Sequence, residues 1–326
     1  LMSVHFTGPF APMCEQFVTG KRLLGIDYTQ QEKILRAFDN FSKTYPVDTF
    51  VISEELASAW SKKRPNESEV NRYNRVMEMH RFSKFLAEQG YLPDFIACKP
   101  KKNSTHTPYI FTENEIRQIF QVIDSLKPCD SVPFRHLVMP LLFRVLYGCG
   151  LRVSEATNLR STDVDLDNGT LHILHGKNGR ERLVPMSPSL TKRCQDYAMN
   201  VLKERKPDSY FFSGRLSQPY SRSGIGKAFR SFLWDAGIPY LGKDRGPSVH
   251  DLRHTFVCHR LNRWAADGTD LNAVLPTLSK YLGHTSVMAT AWYLRLTAEV
   301  YPDLVHTMDR FSAGMFPPPW EVNGDE

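Results

Sequence analysis

The amino-acid sequence predicts a mostly α-helical chain of two domains, the larger of which carries a small antiparallel three-stranded sheet. Three observations lead there. Helix-start signatures precede apolar residues: Thr29-Gln30-Gln31-Glu32 runs into Ile34, Leu35, Phe38 and Phe41 at helical spacing, and Thr112-Glu113-Asn114-Glu115 opens the second half. Two Asn-Gly pairs, Asn168-Gly169 and Asn178-Gly179, separate the runs VDLD, TLHIL and ERLVP, the pattern of tight hairpin turns joining three short strands. Between the halves, CKPKKNSTHTPY (98–109) is polar, basic and interrupted by two prolines, which reads as a linker.

In chain order, residues 1–97 carry four expected helices. The first covers 12–25, the second follows the Thr29 capping box, and the third runs from its cap Ser53 to Trp60. The fourth spans about 68–89, with Val70, Tyr73, Met77 and Leu86 on its apolar side and Gly90 as its stop. Lys62, Lys63 and Arg64 precede this helix, and Arg72, Arg75, Arg81 and Lys84 decorate it. From 110 to 326, helices are expected over 113–126 and 134–147, the latter ending at Gly148-Cys149-Gly150, an elbow that lets the backbone turn sharply. Arg152 follows, and Ser154-Glu155 starts the next helix. The three strands occupy 163–185, with Lys177 at the second hairpin tip and Arg180 and Arg182 beside it. Helices then cover 188–206 and 221–236, the second bearing Arg222, Lys227 and Arg230. The C-terminal part runs from HDLRHTF through an apolar helical segment to YLGHTS and AWYLRLT, followed by a helix over 297–311 and a proline-rich tail.

Composition bounds the class. The length of 326 residues fits two domains of about 100–200 residues each, and 41% hydrophobic with 12% aromatic residues suffices for real cores. A net charge of +6 is compatible with a polyanionic partner. The six cysteines, Cys14, Cys98, Cys129, Cys149, Cys194 and Cys258, form no C-x-x-C pair, so they read as reduced thiols of a cytosolic protein, not a disulfide framework or zinc site. The most apolar stretch, HLVMPLLF, is too short to span a bilayer. Gly224-Ile225-Gly226-Lys227 lacks the first glycine and the Ser or Thr of a phosphate-binding loop, so no ATP is expected. His250 and His254 stand at zinc-ligand spacing, but Asp251 replaces the catalytic Glu and Arg253 would set a cation beside the metal. No metal or other cofactor is therefore expected, and His254 is assigned to the core or to support of the cleft.

A chemical set remains: Arg152, Lys177, His250, Arg253, His284 and Tyr293. Two guanidinium forks suit the non-bridging oxygens of a phosphodiester and the charge that grows on a five-coordinate phosphorus. A tyrosine can attack and keep the phosphoryl group as an ester, but a phenol with a pKa of about 10 needs a base or cationic neighbours. A lysine or histidine can protonate the leaving oxygen. Tyr281 sits where an apolar residue is expected and Tyr301 lacks the spacing, which leaves Tyr293, nine residues beyond His284, as the nucleophile.

In order and local context, GCGLRVSEATNL, LHGKNGRERLVP, HDLRHTF, YLGHTS and AWYLRLT resemble the tyrosine site-specific recombinases of the phage integrase family over about residues 110–300. The resemblance implies a helical core-binding domain (1–97), a basic linker (98–109) and a mixed catalytic domain of tyrosine-recombinase type with a C-terminal tail (110–326). It casts Arg152 and Arg253 as phosphate binders, Lys177 as the hairpin acid, His250 and His284 as the active-site histidines, and Tyr293 as the residue joined to a DNA 3′-phosphate. Glu155 would orient a neighbour. Lys62, Lys63, Arg64, Arg72, Arg75, Lys99, Lys101, Lys102, Arg180, Arg222 and Lys227 are the expected DNA contacts, with Arg182 as a further phosphate contact; such groups supply affinity and register more than sequence choice. The implied partner is double-stranded DNA with a specific site, bound by a homo-tetramer in the synapse and by a monomer or dimer otherwise, in the bacterial cytoplasm with no membrane. The segment between His250 and His284 is longer than the family pattern, with the extra residues near 266–276. A type IB topoisomerase would relax supercoils without a defined site, and a non-cleaving regulator would have no need of Tyr293 or Lys177.

Overall fold

The computed structural model describes residues 6–47, 49–91, 107–174, 181–203, 206, 208–214, 218–239, 246–284 and 286–300, the side chains of 295 and 297–300 excepted. The chain divides into two compact units, Leu1–Thr105 and His106–Glu326.

The first unit is built of α1 (Ala11–Leu23), α2 (Thr29–Ser42), α3 (Glu54–Ser61) and α4 (Glu69–Glu88). Its core is aromatic: Phe10, Phe17, Phe38, Trp60 and Phe82 meet in tilted and edge-on pairs with centroids 5.3–6.3 Å apart, a geometry that suits the ring quadrupole. Ser53 and Ser68 cap α3 and α4, accepting from Leu56 and Asn71 backbone N–H groups at 3.2 Å. The Thr29 capping box does not form. Thr29 is already helical, and Asp27 accepts its backbone N–H and its hydroxyl, while Glu32 turns to Arg22 and Arg36. The start of α1 is held from a distance: buried Asp39 on α2 accepts the N–H groups of Thr7, Gly8 and Phe10 at 3.1, 2.6 and 3.0 Å.

The buried face of α4 also differs from the expected one. Val76, Met79, Phe82 and Leu86 are interior, whereas Val70, Tyr73 and Met77 are half-buried. Two ionised residues occupy the inner face and displace the apolar stripe. Glu78 accepts from the Tyr28 hydroxyl and pairs with Arg81 at 2.7 Å. Arg75, expected on the DNA surface, is 5% exposed. It bonds Glu67 through two nitrogens at 2.8 Å and donates to the carbonyls of Trp60 and Lys62. Glu67 matches its charge at hydrogen-bond distance, so Arg75 brings no unpaired charge to a phosphate and is removed from the expected DNA contacts.

The second unit contains α5 (Glu113–Asp124), α6 (Arg135–Gly148), α7 (Val153–Asn158), β1 (Val164–Asp165), β2 (Thr170–Ile173), β3 (Arg182–Pro185), α8 (Pro188–Tyr197), α9 (Arg222–Asp235), α10 (Val249–Ala266), α11 (Leu271–Leu282) and α12 (Met288–Val300). The Thr112 capping box forms as expected, with Thr112 and Glu115 each accepting from the other's backbone N–H. The sheet is antiparallel in the order β1-β2-β3. Val164, Leu171 and Val184 stand opposite one another and are buried, which fixes the inner face; Arg182, paired with Ile173, shares that face. Phe143, Phe229 and Phe232 anchor the main core, and a second cluster joins α10, α11 and α12 around Val257, Leu261, Leu278 and Tyr293. The residues that lengthen the His250-to-His284 segment form a turn at Gly268 (φ 74°) and the start of α11, capped by Asp270. Among the described residues, no helix is long and apolar enough to cross a membrane.

Candidate active site

The site is assembled from four places in the second unit. Ser248 and Asp251 close a capping box at the start of α10, which sets the helix phase so that Arg253, one turn in, faces inward. Its guanidinium is 1% exposed. It donates to the Gly150 carbonyl at 2.6 Å, to the Leu282 carbonyl at 2.6 Å and to His284 Nε2 at 3.1 Å. One side chain thus ties the elbow after α6 to the end of α11. Gly150 must be glycine: its φ is 59°, and a Cβ would meet Phe256 at 2.5 Å. Gly283 ends α11 in the same left-handed region, φ 66°, and presents His284 to the cleft.

Arg152 is the N-cap of α7, and its Nη1 donates to Glu155 Oε1 at 2.6 Å. Glu155 is the hub. Arg182 bonds both its oxygens, at 3.0 and 2.8 Å, and Arg253 Nη1 lies 4.0 Å away. Arg182 also donates to the Tyr281 carbonyl at 2.8 Å. Arg182 is therefore an interior strut and not a phosphate contact: register places it on the inner face of β3 opposite Ile173. Burial opposes the Glu155 charge, but the hydrogen bonds and charges of Arg182 and Arg152 outweigh it and hold the carboxyl at about 2. Three guanidiniums around one carboxylate leave a buried surplus of two positive charges, matched to the double negative charge of a five-coordinate phosphoryl group.

His284 accepts from Arg253 through Nε2, so its proton sits on Nδ1, 2.8 Å from Thr290 Oγ1. Burial and the charges of Arg253, Arg152 and Arg182 push its pKa down to about 4, so the ring is neutral at physiological pH. His250 stands at the start of α10 with part of its ring open to solvent; partial desolvation, then Arg253, lower its pKa, and Arg222 from α9 acts in the same direction.

Tyr293, 3% exposed on α12, lies against this cluster. Its ring lies parallel to His284 with centroids 6.2 Å apart, and the hydroxyl is 2.8 Å from His254 Nδ1. Burial raises the phenol to about 12 despite the opposing pull of Arg253 and Arg152. Tyr281 instead packs on Phe256 and donates to the Pro185 carbonyl at 3.3 Å, a structural position.

Arg152, Arg253, His284 and Tyr293 are thus brought together, with His250 at the rim. Lys177 and Arg180 lie outside the described residues, as do Lys99, Lys101 and Lys102. Arg222 and Lys227 are exposed on α9. In the first unit Lys62, Lys63 and Arg64 are exposed, with Lys63 paired to Glu69 at 2.7 Å and Arg64 stacked over Trp60 at 4.5 Å. Half-buried Arg72 donates to the Ser61 carbonyl at 2.9 Å. Sequence reasoning left His254 without a contact to Tyr293 and did not see Arg182 as a strut. The alternation of ERLVP was the signal that could have turned Arg182 inward.

A buried phenol set among guanidiniums and a neutral histidine, in a helical domain with one small sheet, defines a tyrosine recombinase. The chain belongs to the phage integrase family, whose model matches residues 110–300. It is 32% identical over 236 residues to tyrosine recombinase XerD of Rhizobium meliloti, covering 71% of each chain, and 29% identical over 316 residues to the integrase/recombinase y4rB of Sinorhizobium fredii, covering 92% and 97%. Its fold is similar to that of XerH bound to difH after cleavage (TM-score 0.61, 19% identity, 86% and 78% covered). It is likewise similar to the Tn1549 transposon integrase in complex with circular intermediate DNA (TM-score 0.62, 19% identity, 86% and 94% covered).

Proposed function

We propose that this chain recombines double-stranded DNA at a specific site through a 3′-phosphotyrosine on Tyr293, in the service of a mobile genetic element. The observation that carries this is Tyr293 lying against His284, which Arg253 bonds at 3.1 Å, beside the Glu155 carboxylate that gathers Arg152 and Arg182. Arg152 and Arg253 hold the scissile phosphate, and Glu155 and Arg182 position Arg152. His284, neutral, buttresses Arg253, and His250 assists proton transfer at the rim. Lys177 protonates the departing 5′-oxygen. The likeness to y4rB and to a transposon integrase supports the mobile-element setting.

Because one phosphate ester is exchanged for another, rejoining requires neither ATP nor a metal. Residues 1–97 form the DNA-gripping domain, 98–109 the basic linker and 110–326 the catalytic domain. Lys62, Lys63, Arg64, Arg72, Lys99, Lys101, Lys102, Arg180, Arg222 and Lys227 face the DNA backbone. Exchange between two duplexes cuts four strands, which calls for four tyrosines and hence a tetramer in the synapse. The reaction takes place where the DNA is, in the bacterial cytoplasm.

The test uses duplexes from candidate element ends, nicked beside the expected scissile phosphate so that the released fragment diffuses away. A denaturation-resistant protein–DNA adduct is expected, and Tyr293→Phe abolishes it while DNA binding persists. An undiminished adduct in Tyr293→Phe refutes the assignment.

A further inference from the structure

His254 touches the reacting oxygen and has no role in the steps above. Its Nδ1 lies 2.8 Å from the Tyr293 hydroxyl, with the two rings tilted at 37° and centroids 5.5 Å apart. The imidazole is held on both sides, edge-on to His250 at 4.7 Å and to Trp292 at 6.0 Å. A base must take the phenol proton, so in the competent tautomer the phenol donates to His254 Nδ1 and the imidazole proton sits on Nε2.

Two other candidate bases, His284 and Glu155, are occupied, and His250 at the rim packs edge-on to His254. His284 Nε2 already accepts from Arg253 and its Nδ1 proton faces Thr290, so both ring nitrogens are engaged. Glu155 is bound on both oxygens by arginines.

Resting on Tyr293 as the nucleophile, we propose that His254 is the base that removes the phenol proton as Tyr293 attacks DNA. In the step, the phenol O–H bond breaks and His254 gains a proton on Nδ1. The phenol oxygen bonds phosphorus, the phosphorus–O5′ bond breaks, and the leaving oxygen takes a proton from the acid of the proposed mechanism. On rejoining, the 5′-hydroxyl attacks, and the imidazolium returns its proton to the departing phenolate.

Single-turnover adduct formation on nicked DNA tests this with His254→Asn and His254→Phe. Asparagine keeps an acceptor close to the Nδ1 position but cannot hold the proton. Both variants are expected to bind DNA as the wild type does and to form adduct about 10²-fold more slowly or worse. On DNA with a 5′-bridging phosphorothiolate, whose sulfur leaves without a proton, the deficit is expected to remain. His254→Asn cleaving at the wild-type rate overturns the proposal, as does a deficit that vanishes on phosphorothiolate DNA, which would move His254 to the leaving-group side. If neither variant folds, ¹⁵N spectra of the histidines in wild type and Tyr293→Phe decide. Loss of the hydroxyl is expected to shift His254 Nδ1, and an unmoved resonance overturns the contact. A wild-type chain that forms no adduct, in contrast, strikes first at the assignment of Tyr293 and removes this proposal with it.

Discussion

Replacing Glu155 by glutamine removes the one negative charge that binds Arg152 and Arg182 and lies 4.0 Å from Arg253, while keeping the side chain's size. The carboxyl stands at about 2 against an ordinary 4.5, and its side chain is 2% exposed. That displacement corresponds to about 3 kcal/mol of stability. The figure agrees with the roughly 3–5 kcal/mol lost when one partner of a buried ion pair is deleted. For a unit of this size about 1 kcal/mol moves the unfolding midpoint by about 2–4 °C, so Glu155→Gln is expected to melt about 6–12 °C below the wild type at pH 7. The sign of the pH dependence follows from a lowered pKa: the contribution is complete above about pH 4.5 and is lost as pH falls through about 2. Calorimetry of both proteins at pH 7 and across the acid range checks it, with the gap closing below pH 4.5. A midpoint within about 1 °C of the wild type at pH 7, with no closing of the gap in acid, refutes the picture of Glu155 as the electrostatic hub.

The histidine leaves a separate signature. His284 sits below its ordinary 6.5 at about 4, so its contribution is complete above pH 6.5 and drains as pH falls toward 4; His284→Gln is expected to flatten stability in that window and leave the lower one unchanged. Arg75→Ala is expected to lower the stability of the first unit by about 3–5 kcal/mol, because it strands Glu67 and the Trp60 carbonyl. At temperatures where that variant stays folded, the salt dependence of its DNA binding is expected to match the wild type, since Arg75 has no phosphate to release. Gly150→Ala is expected to cost at least about 1–3 kcal/mol, read by denaturant unfolding, and to slow adduct formation. It places a Cβ 2.5 Å from Phe256 in a left-handed backbone and displaces the carbonyl that Arg253 holds.

Local chemistry was legible without coordinates. Thr112 with Glu115, and Ser53 and Ser68, mark helix starts because a cap and its orphan N–H groups lie within three residues of one another. Asn168-Gly169 places the turn between β1 and β2, with Gly169 at φ 64°. Arg152, Arg253, His284 and Tyr293 were identifiable because each stands in a short recognisable context, and the fold brings them into one cleft. The Thr29 box misled because Asp27, two residues earlier, competes for the same N–H group.

Which charged residues turn inward was decided elsewhere in the chain. Arg72 and Arg75 read alike on α4, yet only Arg75 meets Glu67 and two free carbonyls. Arg182 became a strut because Glu155, 27 residues earlier, and the Tyr281 carbonyl, 99 residues later, converge on the end of β3. His254 reaches the Tyr293 hydroxyl across 39 residues for the same reason. The sequence by itself determined most helix starts, the first hairpin turn and the short contexts that mark the candidate reactive groups, since these depend on neighbours within a turn or two. Only the tertiary structure decided which cations are buried and what each one holds, since a buried charge is tolerable only where distant partners satisfy it.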